Sequence, residues 1–200
     1  MSVLYKTVAK EAEAEQIIER SHFISHIKPV QTREEADAFV LEIKKSYKDA
    51  THNVPAYVIG DKMQLQWASD DGEPQGTSGA PIVQMLVKEG VTNVCIVVTR
   101  YFGGIKLGTG GLVRAYTSSA KLALDAAGIF EVRDFEEIQF QIAYNQLSRL
   151  QNEEKRAFFK ICDIIYEDFL TVTICFESEN REIIEGFLTE LTRGKFQKNT

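Results

Sequence analysis

Residues 94–116 read VCIVVT, then RYFGGIKLGTGG, then LVRAY: an apolar run, a glycine-dense loop and the opening of a helix in one stretch. Val94 to Thr99 is apolar on both alternating faces, which predicts a strand covered on two sides and therefore central in its sheet. From Gly111 to Ala127 the period changes. Leu112, Ala115, Tyr116, Ser119, Leu122, Ala123 and Ala126 recur at helical spacing, and Gly128 supplies the stop.

Outward from this core, Pro81 to Lys88 is a short helix with proline early and Gly90 late. Ala56 to Ile59 runs into Gly60-Asp61, after which Met63, Leu65 and Trp67 alternate with Gln64, Gln66 and Ala68, the pattern of a hairpin with a half-buried strand. Thr32-Arg-Glu-Glu35 is a capping box heading an amphipathic helix from Thr32 to Tyr47, whose Lys44, Lys45 and Lys48 read as a solvated face. Val3–Val8 and His22–Val30 read as strands, with an acidic helical stretch from Glu11 to Glu19 between them. Near residues 131–137 the register changes and a smaller unit begins. Ile138, Phe140 and Ile142 alternate as a strand, Asn145 caps a helix to about Phe158, and Ile161–Tyr166 and Leu170–Phe176 are two more strands. Ser178 caps a last helix carrying Ile183, Ile184, Phe187, Leu188 and Leu191. A final strand near Phe196 would complete β-α-β-β-α-β.

The composition narrows the classes of function. A hydrophobic fraction of 44% supports real cores, and 26% charged residues is ordinary for a folded chain. No apolar run reaches the ~18 residues of a membrane span, and the acidic N-terminus is no secretory signal. A net charge of −6 argues against coating nucleic acid by bulk charge, though not against a local basic patch. Cys95, Cys162 and Cys175 lack CxxC spacing. Cys95 and Cys175 sit in apolar runs as buried thiols, so neither a disulfide framework nor a zinc site is expected, and the compartment reads as reducing cytoplasm.

Two polar, glycine-dense loops hold the candidate chemistry. In the first, residues 69–79, Thr77, Ser78 and free amides stand at a helix N-terminus, where an anion is favoured. Asp70, Asp71 and Glu73 either hold a hard cation such as Mg²⁺ or cap turns as ordinary loop carboxylates. In the second, Arg100, Lys106 and Arg114 lie among Gly103, Gly104, Gly110 and Gly111 with Tyr101, Phe102 and Tyr116. Cations beside aromatics suit phosphate pairing and base stacking. The alternative is a tight strand-to-helix crossover with the aromatics in the core. The second loop is neither a Walker motif nor a well-placed GxGxxG. His22, His26 and His52 are scattered, and Ser78 has no identifiable base, so no triad follows.

SDDGEPQGTSGAP (69–81), VVTRYFGGIKLGTGGLVRAY (97–116) and HNVPAYVIG (52–60) closely resemble the signatures of the Impact/YigZ family, over nearly the whole N-terminal part. Gln75 departs from the small residue usual at its position. The resemblance implies an α+β chain of two domains. Residues 1–134 would be similar to the second domain of a small-subunit ribosomal protein and to domain IV of elongation factor G. Residues 135–200 would be ferredoxin-like, similar to the last domain of that factor. Eukaryotic relatives regulate translation through a partner that does not carry over. The expectation is a translation-associated protein recognising RNA, the ribosome or a translation factor, with Arg100, Lys106 and Arg114 on phosphates, Tyr101 or Tyr116 stacking, and Thr77 and Ser78 hydrogen bonding. The alternative is a Mg²⁺-dependent enzyme acting on a phosphorylated small molecule or nucleotide through Asp70 or Asp71.

Overall fold

The computed structural model describes residues 3–156 and 158–194. The chain is α+β and divides into two compact units, one of residues 4–132 and one formed mainly from residue 133 onward.

The first unit is built on a five-stranded antiparallel sheet. Its strands are β2 (Ala12–Ile18), β3 (Ser21–Pro29), β4 (His52–Ile59), β5 (Leu65–Ala68) and β6 (Val94–Tyr101), in the order β2-β3-β6-β4-β5. β6 is central, as its two-faced apolar pattern predicts. Val94, Ile96 and Val98 enter one core with α2 (Gly79–Glu89) and α3 (Gly108–Ala127). Cys95 and Val97 enter a second core on the opposite face, with α1 (Arg33–Ser46). The first strand, β1 (Val3–Val8), pairs separately with β7 (Ile129–Arg133).

Three local expectations change. Residues 12–18 form a strand rather than an acidic helix. Ala12, Ala14, Gln16 and Ile18 face inward at period two, and the sheet edge outweighs the helix propensity of the glutamates. The turn into β3 places Glu19 and Arg20 at φ of 45° and 64°, the left-handed pair that a two-residue hairpin turn needs. α3 starts at Gly108, so Gly110 and Gly111 lie in its first turn and not in the loop. Lys44 is not merely solvated, because its Nζ reaches Asp71 Oδ1 at 2.5 Å.

In the second unit β8 (Phe135–Ile142), β9 (Phe159–Tyr166) and β10 (Leu170–Glu177) form an antiparallel sheet in the order β8-β10-β9. Leu150 of α4 (Leu147–Glu154) and Ile184, Leu188 and Leu191 of α5 (Arg181–Leu191) close the core against Phe140, Val172, Ile174 and Phe176. The order of elements is the ferredoxin-like one through its second helix. The strand expected near Phe196 lies outside the described residues. Asn145 and Ser178 do not cap these helices: each falls in a short 3₁₀ turn, and Ser178 Oγ donates instead to Asp134 Oδ2 at 2.9 Å. The cysteine expectation also fails. Cys162 and Cys175 form a disulfide across β9 and β10 with Cα atoms 6.0 Å apart, and only Cys95 is a buried free thiol.

Candidate functional site

Strand parity assembles the site. Arg100 continues the alternation of Val94, Ile96 and Val98, so it points toward α3. His52 shares parity with Val54, Ala56 and Val58 and lies directly opposite Arg100 in the ladder between β4 and β6. Both therefore meet the 69–79 loop at one end of the sheet.

That loop is ordered by its own acids. Asp70 Oδ1 accepts from Ser78 Oγ at 2.6 Å, Gly79 N at 2.9 Å and Ser78 N at 3.1 Å, and Oδ2 accepts from Gly76 N at 2.7 Å. Burial raises the carboxyl's pKa, but these four donors more than offset it and hold Asp70 below the usual carboxylate range. An internal anion thus closes the N-terminus of α2. Asp71 binds Lys44 through Oδ1 and accepts Asn53 N–H at 2.7 Å through Oδ2. The two aspartates are turned onto the protein's own donors, the arrangement of the second of the two readings left open for them, loop carboxylates serving turns and caps. Thr77 and Ser78 are likewise spent internally: Thr77 Oγ1 donates to the Pro74 carbonyl at 2.6 Å, and both residues are buried.

Glu73 enters the sheet end instead of solvent. Its Oε1 accepts from Arg100 Nη1 at 2.5 Å and Tyr116 Oη at 2.7 Å. Arg100 also donates through Nη2 to Ser21 Oγ at 3.2 Å and lies between the rings of Phe23 and Phe102, 5.4 and 5.5 Å from their centres. Arg100 is 4% exposed and Tyr116 0%, so the expected phosphate contact of Arg100 and base stacking of Tyr116 are corrected: both roles need surface, and both side chains hold Glu73. Burial, then the hydrogen bond to Glu73, pushes the Tyr116 phenol far up, so it stays a neutral donor. His52 Nδ1 lies 2.8 Å from the Asp71 carbonyl oxygen, which can only accept, so Nδ1 is a donor here. Nε2 then faces Glu73 Oε1 at 3.7 Å.

The second loop keeps its exposed cations. Lys106 and Arg114 are exposed, neither makes an ion pair among the described residues, and both line a groove of about 1050 Å³ between α2 and α3. The first turn of α3 has no side-chain cap and no acid, whereas the start of α2 is closed by Asp70 from outside the helix. A Cβ on Gly103 would meet the Arg20 carbonyl at 2.0 Å, so that glycine serves chain crossing. Gly104 and Gly110 have nothing within 4 Å of a Cβ, and Gly111 would touch only the Leu107 side chain. Packing does not demand glycine at Gly110, although each helical glycine costs about 1 kcal/mol relative to alanine. Tyr101 is half-buried and donates to Asp49 Oδ1 at 3.1 Å.

Two residues of this site escaped the sequence reading as a pair: Glu73, grouped there with the loop aspartates, and His52, counted there as scattered. Their meeting depends on the register of β4 against β6, which periodicity does not encode.

The family model described as Impact N-terminal domain matches residues 19–124. The chain is 41% identical over 96% of its length to the IMPACT family member YvyE of Bacillus subtilis, covering 88% of that protein. It is 34% identical over 90% of its length to the IMPACT family member YigZ of Escherichia coli, covering 89% of it. A crystal structure of a hypothetical protein is similar over 96% of this chain and 95% of that one, at a TM-score of 0.63 and 32% identity. Residues 52–60, 69–81 and 97–116, which build the sheet end and the start of α3, fall inside the matched region, and the chain belongs to the IMPACT family.

Proposed function

We propose that this protein is a translation-associated regulatory protein that binds single-stranded RNA, free or displayed on the ribosome, through the first turn of α3 and its flanking cations. The observation that carries the reading is the contrast between two helix starts. α2 is closed by Asp70, whereas among the described residues no side chain takes the first amides of α3, which stand between exposed Lys106 and Arg114. Aligned amides and two unpaired cations favour phosphate, and Phe102, 46% exposed, offers a ring to an unstacked base. The resemblance of both domains to parts of translation factors supports the same direction as a fold-level analogy. A cytoplasmic setting belongs to this reading; among the described residues no helix is long and apolar enough to cross a membrane.

Titrating a labelled single-stranded RNA into wild type and a Lys106→Ala/Arg114→Ala variant tests it. Weaker, less salt-sensitive binding by the variant is expected, and equal binding would remove the reading. Binding to a purified translation factor with no RNA affinity would instead make the surface a protein interface.

A further inference from the structure

Adjoining this surface is a pocket of about 450 Å³ lined by His52, Glu73, Arg100, Phe102 and the first turn of α3, the last two shared with the proposed RNA surface. Its size is that of a small-molecule site. Its rim is the uncapped turn Gly108-Thr109 with Lys106 alongside, where an anion is favoured. Its floor has the opposite character. The bonds to Glu73 converge on Oε1, leaving Oε2 without a partner among the described residues. His52 Nε2, 3.7 Å from Glu73 Oε1 and without a hydrogen bond among the described residues, is a second polar atom beside it. Two neighbouring polar atoms with no protein hydrogen bond between them match a ligand carrying two adjacent hydroxyls, each of which can donate and accept. Arg100 neutralises Glu73, so the floor does not repel a nearby phosphate. Its own Nε, buried and unpartnered, is a further polar group in the pocket's lining with no protein mate. Phe102, backed by the Arg100 guanidinium 5.5 Å from its ring, adds an aromatic wall.

We propose that this pocket binds a ribonucleotide. The 5′-phosphate sits on the first turn of α3, the 2′,3′-diol on Glu73 and His52, and the base against Phe102. A free nucleotide and the 3′-terminal residue of an RNA both present this chemistry, because each joins a 5′-phosphate to an unblocked diol. The proposal rests on the reading of the α3 start as a phosphate site and adds the Glu73/His52 floor to it, which the loss of the ligand's diol tests apart from the Lys106 and Arg114 contacts.

The test is calorimetric titration of the full chain with adenosine 5′-monophosphate, its 2′-deoxy analogue and adenosine, and then with a hexameric RNA ending in either a free diol or a 3′-deoxynucleotide. The monophosphate is expected to bind saturably, and loss of either the 2′-hydroxyl or the phosphate to weaken it roughly tenfold or more, as for a lost charge-assisted hydrogen bond. Thr109→Asp, which puts an acid in the exposed first turn, and Phe102→Ala, at an exposed ring, are each expected to weaken binding by a similar factor. Their melting curves report whether they fold. If the RNA end is the ligand, the diol-ended hexamer displaces the monophosphate and the 3′-deoxy hexamer does not; if the free nucleotide is, neither hexamer displaces it. No saturable binding, equal binding of the three small ligands, or wild-type binding by both folded variants would overturn the proposal. Monophosphate binding without hexamer binding would keep the pocket and remove the RNA reading. Hexamer binding indifferent to the monophosphate and to the terminal diol would do the reverse.

Discussion

Arg100 and Glu73 form a buried ion pair at 2.5 Å that ties the central strand to the 69–79 loop, with Tyr116 of α3 on the same carboxylate oxygen. Three elements thus converge on one acceptor. Removing only one charge leaves the other buried without compensation, so Glu73→Ala or Arg100→Met should each cost about 3–5 kcal/mol. Replacing both, Glu73→Ala with Arg100→Met, should cost less than the sum of the single changes. Urea denaturation of the four proteins measures this. Additive losses would mean that the pair is not coupled.

Asp70 makes the start of α2 sensitive to acid. Its pKa is depressed in the folded protein, so the stability it contributes is fully present above the ordinary carboxylate value of about 4 and is lost as pH falls through its lower folded value. Asp70→Asn should therefore destabilise by roughly 1 kcal/mol at neutral pH, as for a lost cap, and by progressively less in acid. Denaturation midpoints of both proteins between about pH 2 and 7 should converge at the acid end. A gap independent of pH would contradict the assignment. Because Asp70 and Asp71 are committed to internal donors, millimolar Mg²⁺ should leave the melting temperature of wild type unchanged, as a thermal scan with and without the ion would show.

The cysteines give a countable outcome. Burial pushes the Cys95 thiol far up, so it should resist alkylation in the native state. With Cys162 joined to Cys175, thiol titration should find one reactive group after unfolding without reductant and three after reduction. Closing a loop of this length should contribute about 3 kcal/mol, read as the fall in denaturation midpoint on reduction. Three thiols in the unreduced unfolded protein would show that the bond does not form.

The fold was largely legible because its strongest patterns are periodic. VCIVVT reads as a two-faced strand, the 32–47 stretch reads as a capped helix, and the Leu112-to-Ala126 spacing reads as a long one. Residues 12–18 were misread because glutamates favour helix locally, while pairing with β3 is a long-range term. Gly108 and Gly110, left outside the helix that the periodicity starts at Gly111, were misread for a related reason, since an intrinsic penalty was outweighed by the 20-residue helix they begin. Of the candidate site, the correct loops were visible, but which side chains face inward was not. Arg100 and Lys106 are both cations in one glycine-dense run, but Arg100 is still on β6 with its side chain on the inward face, whereas Lys106 lies in the loop beyond the strand and is exposed. Asp70 and Glu73, three residues apart, differ in the same way: one caps a helix and one enters the sheet end.

The most direct test of the account is the affinity and salt dependence of single-stranded RNA binding by the Lys106→Ala/Arg114→Ala protein, with its melting temperature recorded alongside. A Lys45→Ala/Lys48→Ala protein, altered at exposed lysines at and just beyond the end of α1, serves as the control for diffuse charge. The first variant should lose roughly 2–4 kcal/mol of binding, counting about 1–2 per charged contact. Its log–log salt slope should fall by about 0.7 for each lost single-strand phosphate contact. The control should change little in either. Unchanged affinity and slope in a folded Lys106/Arg114 variant, or equal losses in both pairs, would contradict an RNA-binding site at the start of α3.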